Sequence, residues 1–282
     1  MLKDLILSQS SLQDYVDCPR RFELRYLLDL RWPALETQQA LELEVSQQRG
    51  HDFHHLLHQH AMGVAAEVLE STIEDETMRR WWRNYLTWQE RNLPNLPGMS
   101  AKRWAEMTLT TTLIPDVNEP SPLLLAAKYD LLTVLEDGRL LIIDWKTGRP
   151  QRRAILANRL QTIVYRYVLS RAGAWMNGGQ PVSPGQIRMI YWFAEDGSTV
   201  ELDYNAELQI LDEERLLEIT GELVERFEFP LVSDDRICRF CTYRTLCERT
   251  VETPTLDEWE DGQVEADLPV SISLDDLEEI AL

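Results

Sequence analysis

Apolar and polar residues follow a helical spacing through the first third of the chain. Apolar side chains recur three and four positions apart there, which is the repeat of one helix face. Serines near Ser8 are typical of a helix start, and Pro19 interrupts the stretch that they open. We predict helices over 8–30 with a break at that proline, over 41–70 and over 74–91.

The spacing then changes to short apolar runs that are typical of strands. A loop rich in proline and asparagine at 92–98 separates the two patterns. Asp137-Gly138 and Asp196-Gly197 have the composition of hairpin turns. We predict strands over 104–114, 123–135, 139–145, 187–193 and 198–204, and helices over 153–172 and 206–227. This order indicates an α/β (α+β) fold.

The composition is that of a globular protein. With 282 residues, of which 44% are hydrophobic and 27% charged, the chain can bury a full core in one large or two smaller domains. No apolar run has the length of a membrane helix, and the first residues do not resemble a secretory signal. We therefore expect a cytoplasmic protein with no membrane partner, in which thiols stay reduced.

Charge is distributed unevenly along the chain. The formal net charge is −20, yet eleven acidic residues and no lysine or arginine follow Arg249. This composition is typical of a solubilising end, and we predict an acidic, flexible tail over 251–282. Its amphipathic part at 274–282 leaves two sharper roles open: the tail could occupy a basic DNA channel or dock a protein partner.

The arginines of the remaining chain concentrate in three segments. Two groups follow the first cysteine and the central strand motif, and a third surrounds the last three cysteines: Arg20, Arg21 and Arg25; Arg152, Arg153, Arg159 and Arg166; and Arg236, Arg239, Arg244 and Arg249. Local basic patches can bind phosphate on an acidic protein. The alternative is that these segments are solvated faces paired with acidic neighbours.

All four cysteines lie near the ends of the chain, as Cys18 and then Cys238, Cys241 and Cys247. Four thiolates can ligate a cubane iron–sulfur cluster or a structural zinc, and reduced, clustered thiols favour metal binding over disulfides. Zinc sites commonly use two C-x2-C segments, which this spacing fits poorly. Unligated thiols are the third interpretation.

Two carboxylates and a lysine come together around the first hairpin. Asp130 lies seven residues before Asp137, and Asp144 lies six residues after Gly138. Carboxylates that face each other repel, and a divalent cation relieves this repulsion. Lys146 shares the strand face of Asp144, where an ammonium can orient water or stabilise negative charge. The alternative is a plain ion pair at a strand end.

Histidines and tryptophans each form one cluster. All five histidines lie within 51–60, and four share a helix face: His51, His54, His55 and His58. They could bind a metal by themselves, or one of them could serve a site built by other elements. The aromatic residues at 81–88 are typical of a packed helical core, and stacking on single-stranded bases is the alternative.

Asp130 and the segment 143–148 together resemble the core motif of the PD-(D/E)XK nuclease superfamily, in its RecB-like branch. Other marks of that branch recur in the expected order. The segment 50–54 resembles the upstream G-x-x-x-H motif, and 161–165 resembles the Q-x-x-x-Y motif of the helix after the sheet. Glu106 stands where this branch often carries a strand glutamate.

The cysteine segments resemble those of the iron–sulfur members of this branch, which include the AddB helicase–nuclease subunit and CRISPR-associated nucleases. The resemblance covers roughly residues 9 to 250. Ala127 replaces the usual glycine before the first motif aspartate, and Tyr129 stands beside Asp130, which is itself kept. No phosphate-binding helicase motif is present, so we predict a stand-alone nuclease domain.

The resemblance implies a restriction-endonuclease-like core, in which a central mixed β-sheet is flanked by helices, together with a helical N-terminal lobe. It implies a nuclease domain over 1–250, with a helical insertion at about 60–95 and an iron–sulfur segment that joins the two ends. The implied ligands of Mg²⁺ or Mn²⁺ are His54, Asp130 and Asp144, and the implied catalytic residues are Asp130, Asp144 and Lys146. Gln161, Tyr165 and Glu106 would contact DNA or support the site. A structural 4Fe–4S cluster would bind Cys18, Cys238, Cys241 and Cys247.

The implied activity is metal-dependent hydrolysis of DNA. The resemblance suggests a single-strand exonuclease that serves DNA repair and recombination or CRISPR spacer acquisition. One alternative is a catalytically silent, nuclease-like DNA-binding or scaffold subunit, against which the intact Asp130, Asp144 and Lys146 argue. A second alternative is a redox- or iron-sensing regulator, whose DNA binding would change with the oxidation of the cluster.

Overall fold

The structure is a computed structural model that describes residues 5–31, 38–92, 102–115, 122–252 and 255. Within these ranges the chain divides into two compact units. The first takes in the described parts of Met1–Val45, Thr110–Ala127 and Leu211–Leu282, and the second those of Ser46–Leu109 and Lys128–Ile210. Nearly all of the predicted tail lies outside the described residues, so the domain boundary at 250 stays a prediction.

The first unit begins with strand β1 (Ile6–Leu7) and helix α1 (Gln9–Asp17). Helix α1 starts where the sequence predicts because the side chains of Ser8 and Ser11 each bond the backbone of the other. Helix α2 (Pro19–Phe22) follows, since proline fits the first helical turn, where its missing N–H is not needed. Five residues of wider, π-helical turn then complete the segment.

The second unit is built on strands whose residues alternate between two covered faces. Strand β3 (Leu123–Val134) pairs in parallel with β1 at its start, within the first unit. In the second unit it pairs antiparallel with β4 (Leu140–Lys146), which pairs in parallel with β5 (Ile187–Phe193). Strand β6 (Thr199–Asp203) is antiparallel to β5, and β2 (Arg103–Leu113) also pairs with β3. The sheet is therefore mixed.

Helices cover both faces of these strands. Helices α3 (Gln38–Ala61), α4 (Ala66–Thr72) and α5 (Glu76–Asn92) pack on one face through a buried aromatic cluster. In this cluster Trp81, Trp82, Tyr85 and Trp88 meet strand residues Trp145 and Trp192. The prediction of core packing for this aromatic helix is confirmed. Helices α6 (Arg153–Ala157) and α7 (Leu160–Ala172) follow β4, and α8 (Ala206–Glu225) follows β6.

Two helices predicted as continuous are each divided. The first breaks after Ala61, where Gly63 adopts a φ of 96° that ordinary side chains rarely allow. The second breaks at Asn158, after which Arg159 is extended and starts α7 as its N-terminal cap residue. The predicted mixed α/β class with helices on both faces is confirmed. Among the described residues, no helix is long and apolar enough to cross a membrane.

Candidate active site

The hairpin register places the two motif aspartates beside each other. Leu131 of β3 stands opposite Ile143 of β4, so Asp130 and Asp144 are the next residues along the two antiparallel strands. The Asp130 Oδ2 atom accepts a hydrogen bond of 2.8 Å from the backbone N–H of Trp145. The Asp130 carboxylate is thereby fixed against the end of β4, and Asp144 is almost fully buried.

Helix α3 brings a histidine to the first of these carboxylates. The His54 Nδ1 atom lies 3.4 Å from Asp130 Oδ1, and the His54 side chain is 31% exposed. One turn earlier, Gly50 passes so close to the end of β4 that a Cβ atom on it would lie 3.0 Å from Thr147 Oγ1. Glycine at this position therefore permits helix α3 to approach the end of β4, and this approach brings His54 close to Asp130.

A third potential ligand comes from strand β2. Glu106 has a φ of 55°, a left-handed conformation that is uncommon for a residue other than glycine. His54, Glu106 and Asp130 each offer one ligand atom, and these atoms all lie within 4.8 Å of one another. An imidazole nitrogen with two carboxylates is a donor set that suits Mg²⁺ or Mn²⁺. The predicted ligand Asp144 is not a member of this group.

Asp144 is instead held by a lysine and a glutamine. Lys146 Nζ lies 3.0 Å from Asp144 Oδ2, and both side chains are buried. Gln161 of α7 donates from Nε2 to Asp144 Oδ1 at 2.9 Å. The side chains of Gln161 and Tyr165 are themselves buried. This burial favours support of the site over direct contact with a DNA strand.

Two further residues near Asp144, Tyr191 and Thr162, were not predicted from the sequence. Tyr191 of β5 lies opposite Asp144 in the parallel register, and its hydroxyl is 2.7 Å from Thr162 Oγ1. The ammonium of Lys146 lies over the Tyr191 ring, 5.7 Å from its centroid. A strand partner that comes more than forty positions later cannot be found by local motif spacing, whereas Thr162 stands next to a motif glutamine and could have been considered.

Burial and charge shift the acid–base properties of these groups. Burial lowers the pKa of His54, but the facing Asp130 carboxylate raises it by more, and the result is about 9. Burial acts in the opposite sense on Asp130, yet the His54 imidazolium and the Trp145 N–H keep the Asp130 pKa below its ordinary value. Burial, assisted by Asp144, raises the pKa of Tyr191. At neutral pH the metal-free site therefore holds an ionised Asp130 and a protonated His54.

The other histidines and the central arginines divide into separate groups. His60 Nδ1 lies 3.0 Å from the Tyr85 hydroxyl, within the aromatic cluster, while His51 and His55 are exposed. Arg166 is buried with its guanidinium 4.9 Å from the centroid of the Tyr204 ring. The predicted basic segment after β4 thus keeps Arg152 and Arg153 on the surface, and Arg166 is part of the packed interior.

The four cysteines belong to the first unit and do not form a close ligand group. Zn–S bonds of about 2.3 Å would place the sulfurs of one zinc roughly 4 Å apart. Among the described residues, the group of His54, Glu106 and Asp130 is the only one found with ligand atoms within 4.8 Å of one another. Burial is the main cause that raises the pKa of Cys241, with smaller contributions from Cys18 and Cys238. The geometry supports neither zinc nor the predicted iron–sulfur cluster, which stays a prediction.

A sequence model of the PD-(D/E)XK nuclease superfamily matches residues 6–248, which is most of the chain. The chain belongs to this superfamily. As a member of the PD-(D/E)XK superfamily it has relatives that cut nucleic acid with the help of divalent metal ions, and the His54, Glu106 and Asp130 group gives it a possible metal site. The match covers both the strand motif and the two cysteine segments.

Two solved structures are similar to this PD-(D/E)XK protein over most of its length. One is the crystal structure of SSO0001, with 14% identity, a TM-score of 0.38, and coverage of 86% of this chain and 85% of that chain. The other is a protein of Eubacterium rectale named as a candidate exonuclease, with 10% identity, a TM-score of 0.48, and coverage of 93% and 94%. At these TM-scores neither similarity carries an argument about function. No curated protein sequence matches the chain.

Proposed function

We propose that this protein is a metal-dependent DNA nuclease of the RecB-like branch, acting on single-stranded DNA from an end. The observation that carries the proposal is the arrangement in the second unit. There a His54, Glu106 and Asp130 donor group lies beside a buried Asp144–Lys146 ion pair. Lysine is rarely buried unless it is paired with an acidic group. The buried pair with Asp144 therefore fixes a positive charge in the site.

The residues divide the work of phosphodiester hydrolysis between them. His54, Glu106 and Asp130, with Asp144 alongside, would hold Mg²⁺ or Mn²⁺. When bound, such an ion polarises the scissile phosphate and lowers the pKa of a neighbouring water. Lys146 would neutralise the negative charge that develops on the phosphate in the transition state. Gln161 keeps the Asp144 carboxylate oriented through its 2.9 Å hydrogen bond.

The first experiment measures cleavage of end-labelled single strands in Mn²⁺ with two near-isosteric variants, Asp144→Asn and Lys146→Met. We expect each to lose about 10²–10⁴-fold in rate, because each removes a charge next to the reacting phosphate. Asp137→Asn is the matched control, since Asp137 pairs with Arg139 in the exposed hairpin turn. Full activity in either site variant would refute the assignment. DNA binding without cleavage by the unaltered protein would instead support the silent-subunit alternative.

The proposed preference for ends needs its own comparison. A linear single strand and the same sequence closed into a circle differ only in having ends. We expect the linear strand to be degraded and the circle to survive in the same reaction. Cleavage of both at similar rates would mean an endonuclease. Assignment to DNA repair, recombination or spacer acquisition rests on the sequence resemblance alone.

The iron–sulfur branch is a further part of the proposal, for the four cysteines of the first unit. In a cubane each thiolate binds a different iron, so its ligands stand further apart than those of a single zinc ion. The Cys238 thiol has a pKa raised mainly by burial and lowered by Arg249, and it interacts electrostatically with Cys18 and Cys247. The thiols therefore lie in one region of the first unit, which supports the proposal.

Protein purified without oxygen should be brown, with a broad visible absorbance that Cys241→Ser reduces together with the melting temperature. We expect stability to fall first and activity to fall as a consequence, because the cysteines lie outside the unit that carries the strand motif. A colourless protein with stoichiometric zinc, or with no metal, would remove the cluster from the proposal.

A further inference from the structure

Strand β3 carries a second lysine beside the candidate metal group. Lys128 lies two residues before Asp130, so the two side chains leave the strand on the same face. Its Nζ atom is 2.7 Å from Glu106 Oε2, and its side chain is 42% exposed. Lys128 has no part in the mechanism proposed above.

The partner of this lysine is the least regular residue of the site. Glu106 combines a φ of 55° with membership of the group whose ligand atoms lie within 4.8 Å. A strained backbone persists only where its surroundings hold it. The Glu106 carboxylate contacts Lys128 and, in the same conformation, lies near His54 and Asp130. The ammonium therefore need not move for Glu106 to act as a ligand.

We propose that Lys128 is a positioning residue of the metal centre, which holds the Glu106 carboxylate in its ligand position. This inference rests on the proposed metal-dependent function. Ligating carboxylates are commonly hydrogen-bonded in turn, and loss of such an outer partner typically costs 10–100-fold in metal affinity. A salt bridge with this exposure adds little to the stability of the fold. The effect of Lys128 thus falls on metal binding, with the fold unchanged.

Two other roles for Lys128 predict different results. If its ammonium competed with the metal for Glu106, removing it would tighten metal binding. If it contacted a DNA phosphate directly, removing it would weaken DNA binding and leave metal affinity unchanged. A double-mutant cycle with Glu106 separates these cases, because a residue that acts through Glu106 loses its effect once that carboxylate is gone.

The experiment is a calorimetric titration of the full-length protein with Mn²⁺ in the absence of DNA. The variants are Lys128→Met, Lys128→Arg, Glu106→Gln, and Glu106→Gln combined with Lys128→Met. We expect Lys128→Met to raise the Kd for Mn²⁺ by about 10–100-fold, with Lys128→Arg close to the unaltered protein. In the Glu106→Gln background, Lys128→Met should add no further loss. Arg139→Met, which breaks the partly exposed ion pair with Asp137, is the matched control.

Several results would overturn the inference. One is an unchanged or lower Kd for Mn²⁺ in Lys128→Met. Another is a rise in Kd on adding Lys128→Met to Glu106→Gln that equals the rise in the unaltered background. A marked fall in the melting temperature of metal-free Lys128→Met would assign Lys128 a structural role instead. Failure of the proposed function has a different signature, because the unaltered protein would then bind no Mn²⁺ or cleave no DNA while folding normally.

Discussion

At the scale of single residues, the site depends on which side chain faces which charge. His54 and Asp130 form an ion pair in the metal-free protein, and this pair is the reason that the His54 pKa rises to about 9. A metal ion needs the neutral imidazole, so the proton on His54 competes with it. A metal ion bound by His54 would therefore have to replace this ion pair.

This competition predicts how metal affinity depends on pH. Between pH 6.5 and 8.5 the apparent affinity for Mg²⁺ should rise by up to about tenfold per pH unit, because each bound ion displaces one proton from His54. Titrations at fixed ionic strength measure the slope. His54→Asn lacks this proton and should show weaker binding with a nearly flat profile. A flat profile in the unaltered protein would contradict the assigned pair.

The stability of the metal-free protein should follow the opposite course. The pKa of His54 is raised on folding, from about 6.5 in the unfolded chain to about 9. The stabilising contribution is therefore fully present below about pH 6.5 and is lost as the pH rises through 9. Denaturant unfolding in the presence of a chelator can follow this decline.

Sequence motifs named the residues of the candidate site but not all of the groups that contact them. Asp130, Asp144, Lys146, His54 and Gln161 were all predicted, and the structure brings them together in one unit. The sequence placed Asp144 among the nearest metal ligands, whereas the described geometry gives that position to Glu106. Glu106 also has a left-handed φ, a backbone feature that residue type does not reveal.

At the scale of elements, the approach of α3 to the end of β4 is the most demanding contact. Gly50 lies in the interior of α3, where alanine would normally stabilise a helix by about 1 kcal/mol. A Cβ atom there would lie 3.0 Å from Thr147 Oγ1, which is tighter than ordinary packing. The contact thus explains why a glycine is tolerated inside a helix one turn before a candidate ligand.

Gly50→Ala should therefore fail to give the stabilisation expected of an exposed helix position. In a Thr147→Ala background, which removes the crowded oxygen, the same change should stabilise by about 1 kcal/mol. Urea unfolding of the four proteins measures both effects. If Gly50→Ala alone stabilises by the full amount, the close approach is not restrictive.

Element boundaries were predicted less well than element types. The five predicted strands agree with the structure to within a residue or two, because their short apolar runs end at turns, whereas the two-residue strand β1 was not predicted. The breaks within two predicted helices were missed because hydrophobic spacing continues across Gly63 and Asn158. A break that changes backbone direction without changing which residues are apolar leaves no periodic signal.

At the scale of the whole molecule, the net charge of −20 opposes the approach of a polyanion. Ten of the acidic residues follow Thr255, outside the described residues. Long-range repulsion of this kind acts at low ionic strength and is screened as salt is added. If the protein binds DNA as proposed, the acidic tail should lower its DNA affinity through charge even where it docks on no surface.

Ending the chain after Thr255 should raise the affinity for single-stranded DNA at low salt, and the difference from the full chain should shrink by 0.2 M salt. This truncation keeps Glu252, whose backbone oxygen accepts a hydrogen bond from Arg239. Fluorescence anisotropy in Ca²⁺, which is expected to support binding with little cleavage, measures both constants. Equal affinities at matched low salt would show that the tail neither repels nor covers the DNA path.

Trp145 has a consequence for spectroscopy. Its backbone N–H holds Asp130, while its indole meets Trp88 edge-on at 5.6 Å and Trp192 at 5.8 Å between ring centroids. Aromatic rings held in fixed tertiary packing give near-ultraviolet circular dichroism, which is lost when that packing is lost. Trp145 therefore contributes both to the carboxylate site and to this near-ultraviolet signal. Detachment of helix α5, which carries Trp88, should reduce the near-ultraviolet band before the secondary structure changes.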